Sequence, residues 1–203
     1  MNPVLLIDTK CSVFEKKLIS SHHKISIYQI RDQFRTCRSI ESLAHADILI
    51  FLLRKQLASR AQIFLAPVLD EDLRGDVNSL CNILDWATTN GTWLINLSIG
   101  LDSSEFNINL YRSSLNVCKS GSIIVAACPN RPNAYPQPSS YSFVHAVKFS
   151  KLKFFRTVFM REDRFSNFTV YGNLKINDSL RVPRTNSFAC AYVSGKLHHS
   201  LFG

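Results

Sequence analysis

Four short, nearly continuous apolar runs recur along the chain, and stretches with helical character separate them. The runs are Val4-Leu5-Leu6-Ile7, Gln62 to Leu69, Trp93 to Ser98 and Ser122 to Ala127. A run of this length with no polar alternation is expected of a strand buried on both faces. Between them, Ser42 to Leu53 is apolar nearly all round, as a deeply buried helix would be. Val77 to Asn90 carries Val77, Leu80, Cys81, Leu84 and Ala87 at helical spacing and is closed by Gly91. Asn107 to Lys119, closed by Gly121, is a further helix. Strands alternating with helices of this length imply βαβ units and a mostly parallel α/β sheet. Lys24 to Tyr28 is a weaker strand candidate. After Tyr141 the pattern shortens. Val144 to Phe149, Phe154 to Met160, Phe168 to Tyr171 and Leu174 to Ile176 read as short strands. No linker, repeat or low-complexity segment interrupts residues 1–203, so a single domain is expected.

Composition narrows the function classes. Hydrophobic residues make up 46% and charged residues 19%, which excludes a disordered chain. The six cysteines are scattered with no CxxC pair, so neither a zinc site nor a disulfide framework is expected. Reduced thiols fit a cytoplasmic setting. The apolar run Ile48 to Leu53 stops at Arg54, too short to span a bilayer. Net charge is +9, with nine Lys/Arg against three acidic residues between Lys148 and Arg184. No nucleic-acid motif accompanies this excess, and a solvated basic face is the plainer reading. His198-His199 read as surface or terminal residues rather than ligands.

Candidate chemistry sits at element ends. Asp8 follows the first run, where open α/β sheets place functional carboxylates; an Asx turn is the structural alternative. His45 lies in the first turns of a helix. Thr185 or Asn186 can cap a helix in which Ser187 occupies the first turn. The outward N–H groups there can stabilise an oxyanion beside a serine nucleophile; a capped core helix is the alternative.

Seven segments, taken in order, resemble subtilisin-like serine proteases. Val4 to Thr9 resembles the family's aspartate strand, and His45 to Ile50 its histidine helix. Leu94-Ile95-Asn96-Leu97-Ser98-Ile99-Gly100 is similar to the substrate strand ending Asn-x-Ser-x-Gly. Ile124 to Asn130 is similar to the strand ending Ala-Ala-Gly-Asn. Tyr135-Pro136 with Val144 to Val147, Phe165-Ser166-Asn167-Phe168 and Thr185 to Gly195 complete the series. The resemblance implies a doubly wound α/β fold with helices on both faces and short strands before the nucleophile helix. It implies an Asp8–His45–Ser187 triad, an oxyanion hole at Asn130, and a substrate-binding wall of Ser98, Ile99, Gly100 and Ala127 that takes an extended peptide or protein. No cofactor or metal is implied, since the long calcium-holding loops of secreted members are missing. The expected activity is an intracellular serine endopeptidase of restricted specificity. The alternative is a catalytically impaired fold that binds an extended peptide, because the flanks differ: Lys10 follows Asp8-Thr9, Ala46-Asp47 replaces Gly-Thr, Pro129 precedes Asn130, and Thr185-Asn186 replaces Gly-Thr.

Overall fold

A computed structural model of the chain describes residues 3–12, 16–20, 26–30, 43–57, 61–91, 93–101, 105–130, 135–150, 158–164, 167–177 and 180–203. Nine strands form one sheet: β1 (Val4–Asp8), β2 (Lys16–Ser20), β3 (Ile27–Ile30), β4 (Ile63–Pro67), β5 (Leu94–Leu97), β6 (Ile123–Ala127), β7 (His145–Phe149), β8 (Phe159–Glu162) and β9 (Phe168–Tyr171). Their order is β2-β3-β4-β1-β5-β6-β7-β9-β8. The six strands from β4 to β9 in that order run parallel. Antiparallel partners close both edges, β2 and β3 on one side and β8 on the other.

Side-chain alternation along the parallel strands feeds two cores. Val4 and Leu6 of β1 point to the face covered by α1 (His45–Gln56) and α4 (Asn186–Phe202). Leu5 and Ile7 point to the face covered by α2 (Val77–Thr89) and α3 (Ile108–Lys119). All five residues of β1 are fully buried, each large apolar one stabilising by about 1.5–3 kcal/mol. This is the expected α/β architecture, with a mostly parallel sheet and helices on both faces, compatible with a subtilisin-like fold.

The winding reverses beside β1. The connection from β1 to its neighbour β4 passes, after β2 and β3, through α1 on one face, and that from β5 to its neighbour β6 passes through α3 on the other. Connections that part in this way open a crevice at the carboxyl ends of the two strands. Asp8 and Ser98 both lie there.

Several element limits differ from the expectations. Helix α1 begins at His45, because Ala44 is extended and the buried Asp47 carboxylate reaches back to accept its N–H at 3.0 Å. Ser42 lies outside the described residues. The strand expected at Lys24 to Tyr28 corresponds to β3 (Ile27–Ile30), with residues 24 and 25 outside the described residues, and β2 has no counterpart among the expected strands. Strand β8 is displaced to Phe159–Glu162, and residues 154–157 lie outside the described residues. Leu174 to Ile176 supplies only a single bridge, Lys175 to Arg181. Helix α4 runs past Gly195 to Phe202, which buries His198 edge-on to Phe202 instead of leaving it at the surface. No helix among the described residues is long and apolar enough to cross a membrane.

Candidate active site

Asp8 ends β1 with its side chain wholly buried. Its Oδ1 accepts the Thr9 N–H at 2.8 Å and lies 2.7 Å from His45 Nδ1. The imidazole is the first residue of α1, and two contacts fix that helix start against the end of β1. Ala46 N–H donates to Thr9 Oγ1 at 3.2 Å. The Asp47 carboxylate accepts from Ser12 N–H at 2.9 Å and from the Ser12 hydroxyl. On the other side, the Phe188 ring stands 5.2 Å from the imidazole. Among the described residues, His45 Nε2 has no hydrogen-bond partner.

Ser187 lies in the first turn of α4. Thr185 caps that helix, its hydroxyl accepting the Phe188 N–H at 3.4 Å. Thr185 N–H donates to the Pro183 carbonyl and Asn186 N–H to Asn130 Oδ1 at 3.4 Å. Among the described residues, this leaves the Ser187 N–H as the first-turn donor with no partner. An unpaired donor at a helix N-terminus is suited to an anion. The Ser187 hydroxyl donates to the Ser98 carbonyl at 2.9 Å, and the Ser98 hydroxyl donates to the Ser187 carbonyl at 3.2 Å. A buried relay extends from there: Asn96 Nδ2 donates to Ser98 Oγ at 2.7 Å, and Ser194 Oγ donates to Asn96 Oδ1 at 2.9 Å. It locks the end of β5 to α4.

His45, Ser98, Ile99, Gly100, Asn130 and Ser187 line one cleft of about 520 Å³. Its far wall, which the sequence did not disclose, is the β4–α2 connection from Val68 to Val77. That connection folds back on itself through a Leu69–Gly75 bridge. Asp8 anchors it, its carbonyl accepting from Val68 N–H at 2.8 Å and Leu69 N–H at 3.2 Å. Ile99 and Gly100 make no backbone–backbone hydrogen bond among the described residues, so that edge is open. A second compartment of about 250 Å³ adjoins Ser187 and is lined by Gly100, Leu101, Ala127, Cys128 and Pro129. All eight expected site residues thus converge on the crevice. Asn130 Oδ1 is taken by Asn186 N–H, and the Asn130 NH₂ has no partner among the described residues.

Two residues that depart from the family pattern are fasteners. One is Asp47. The other is Asn186, whose Oδ1 accepts Phe149 N–H at 2.6 Å and whose Nδ2 donates to the carbonyls of Cys128 at 2.9 Å and Pro129 at 3.2 Å. Their partners lie 35 and 58 residues away, beyond the reach of any local pattern. Cys128 and Cys190 are held in the thiol form, because burial raises both pKa values above the usual one.

No protein-family model matches the chain. Over 94 residues, 45% of its length, the chain is 33% identical to the minor extracellular protease Epr of Bacillus subtilis (strain 168). The match covers 14% of that protein, so the chain spans only a small part of this relative's length, and the likeness is to a protease.

Proposed function

We propose that the chain is a subtilisin-like serine endopeptidase that cleaves an extended peptide through Asp8, His45 and Ser187. One observation carries the reading. The buried Asp8 carboxylate binds His45 Nδ1 at 2.7 Å in the same crevice where Ser187 sits in the first turn of α4, its N–H without a partner among the described residues.

The chemistry follows from these groups. The Asp8 contact fixes the tautomer with the proton on Nδ1, which leaves Nε2 basic. Rotation about the Ser187 Cα–Cβ bond moves the hydroxyl from the Ser98 carbonyl towards Nε2. Ser187 Oγ then adds to the scissile carbonyl as Nε2 takes its proton. The oxyanion forms between the Ser187 N–H and the Asn130 NH₂, each such donor being worth on the order of 10²–10³ in turnover. The imidazolium returns the proton to the departing amine, and water repeats the sequence on the acyl-enzyme. Substrate lies along Ser98-Ile99-Gly100 by strand addition. Its side chain before the cut enters the compartment beside Ala127. None of the described lining residues there is charged, which favours an uncharged side chain.

A second reading rests on one observation: the Ser187 hydroxyl is bonded to Ser98, not to His45. A catalytically impaired protein would bind extended peptides along the same edge without cutting them. Incubating a diverse peptide mixture with wild type and with Ser187→Ala, followed by mass spectrometry, separates the two. The protease reading expects new termini with wild type only. Peptide retention without new termini in either protein would establish the binding reading instead.

A further inference from the structure

We infer that Asn186 is a positioning residue that aims the oxyanion donor Asn130. The inference rests on the protease reading above. Between the end of β6 and Asn130 the chain has few backbone groups with which to fasten itself. Cys128 N–H donates to the Val147 carbonyl at 2.7 Å. Pro129 has no N–H. The two remaining groups, the carbonyls of Cys128 and Pro129, both accept from Asn186 Nδ2. The same carboxamide accepts Phe149 N–H through Oδ1, so it is itself anchored to the end of β7. One planar side chain therefore ties β7, the 128–130 turn and the first turn of α4 into a single unit. The Asn186 backbone N–H adds the last tie, to Asn130 Oδ1, which turns the Asn130 NH₂ away from the helix as the remaining donor.

The chemistry suits asparagine specifically. Its NH₂ offers two donors and its oxygen an acceptor in a fixed plane. A threonine at this position has one hydroxyl and cannot serve two carbonyls and an N–H together. Asn186 needs no contact with the reacting atoms. Its effect comes through the direction of a donor whose worth depends on placement to within a fraction of an ångström.

The test is a double-mutant cycle on peptide hydrolysis, with Asn186→Ala, Asn130→Ala and the double variant, reading kcat and KM separately. Asn130→Ala is expected to lower kcat by about 10²–10³. Asn186→Ala is expected to lower kcat about tenfold with KM within about twofold, and to add little once Asn130 is gone. Multiplicative losses in the double variant, or a rise in KM at unchanged kcat, would overturn the inference. Asn186→Asp separates the two halves of the clamp. It keeps the acceptor for Phe149 N–H, removes both donated bonds and sets a carboxylate oxygen against the two carbonyls, so its kcat should fall at least as far as that of Asn186→Ala; wild-type kcat in Asn186→Asp would also overturn it. Amide exchange at Cys128, read by NMR, does not depend on turnover. Faster exchange at Cys128 in Asn186→Ala, with Val193 in α4 unchanged, supports the clamp, and unchanged Cys128 protection contradicts it. Wild type that shows no Ser187-dependent hydrolysis would instead defeat the protease reading, with the exchange result still deciding the clamp.

Discussion

Ser187, His45 and Asp8 each occupy a point where a regular element starts or stops, and the proposed chemistry depends on this. A serine in mid-helix would have its N–H consumed by the i→i−4 ladder; in the first turn of α4 it does not. Asp8 is fully buried yet bonded to the imidazole, so its value lies in holding one tautomer. Asp8→Asn keeps the shape and reverses the hydrogen-bond polarity. We expect kcat to fall by about 10⁴ with the fold intact by circular dichroism, the magnitude seen when a triad carboxylate is converted to an amide. The end of an apolar run marks Asp8 in the sequence, whereas His45 and Ser187 stand out only through the ordered resemblance of their segments to the subtilisin-like pattern. The ties that Asn186 makes to Cys128 and Phe149 and Asp47 to Ser12 show no such mark, because their partners lie far away in the chain.

At the scale of elements, α1 and α4 pack together over the face of the sheet that carries the site. At Gly195 the two helices approach closely. A Cβ built there would lie 2.6 Å from Gln56 Cβ and 3.1 Å from the Leu53 carbonyl. Helix propensity alone would make Gly195→Ala stabilising by up to about 1 kcal/mol. The clash opposes it with about 1–3 kcal/mol of overpacking, because the atoms met are the root of a side chain and a backbone oxygen. The net expectation is destabilisation, read as a lower denaturation midpoint in urea at unchanged m-value. Asp47→Ala removes the acceptor for Ser12 and Ala44 N–H. It should cost about 1–3 kcal/mol by the same measurement. The helices and parallel strands were legible from apolar periodicity. The antiparallel strand β2 and the true start of α1 were not. The first carries no apolar run, since Lys16–Ser20 holds two lysines, and the second depends on a side chain reaching back to its own cap.

Across the whole molecule, burial sets the response to pH. Cys118 is raised by burial to about 11, and Cys81, Cys128 and Cys190 shift in the same direction for the same cause. The folded state therefore holds thiol protons more tightly than the unfolded chain, where the value is 9.0. The contribution of these thiols to stability should be level below pH 9 and fall as the pH rises towards 11, because the unfolded state then releases protons that the folded state retains. Iodoacetamide labelling of these thiols at pH 8 should be slow in the native protein and rapid in denaturant. Asp76 responds in the opposite sense. Backbone N–H groups of Asn78 and Ser79 lower its pKa below 3.8, so its cap on α2 is complete above that value and is lost in stronger acid. The mostly parallel sheet follows from the alternation of strands and helices; the order of its strands, with β1 between β4 and β5, does not. The cleft wall from Val68 to Val77 does not, because a turn-like acidic stretch gives no sign of what it faces. The proposed chemistry requires Ser187 to be a nucleophile activated within this crevice. Labelling the folded protein with a fluorophosphonate and mapping the adduct by peptide mass spectrometry tests it most directly. Folded wild type should carry one adduct, on Ser187, lost in Ser187→Ala and strongly slowed in Asp8→Asn. No adduct on correctly folded wild type, or an adduct that persists in Ser187→Ala, would contradict it.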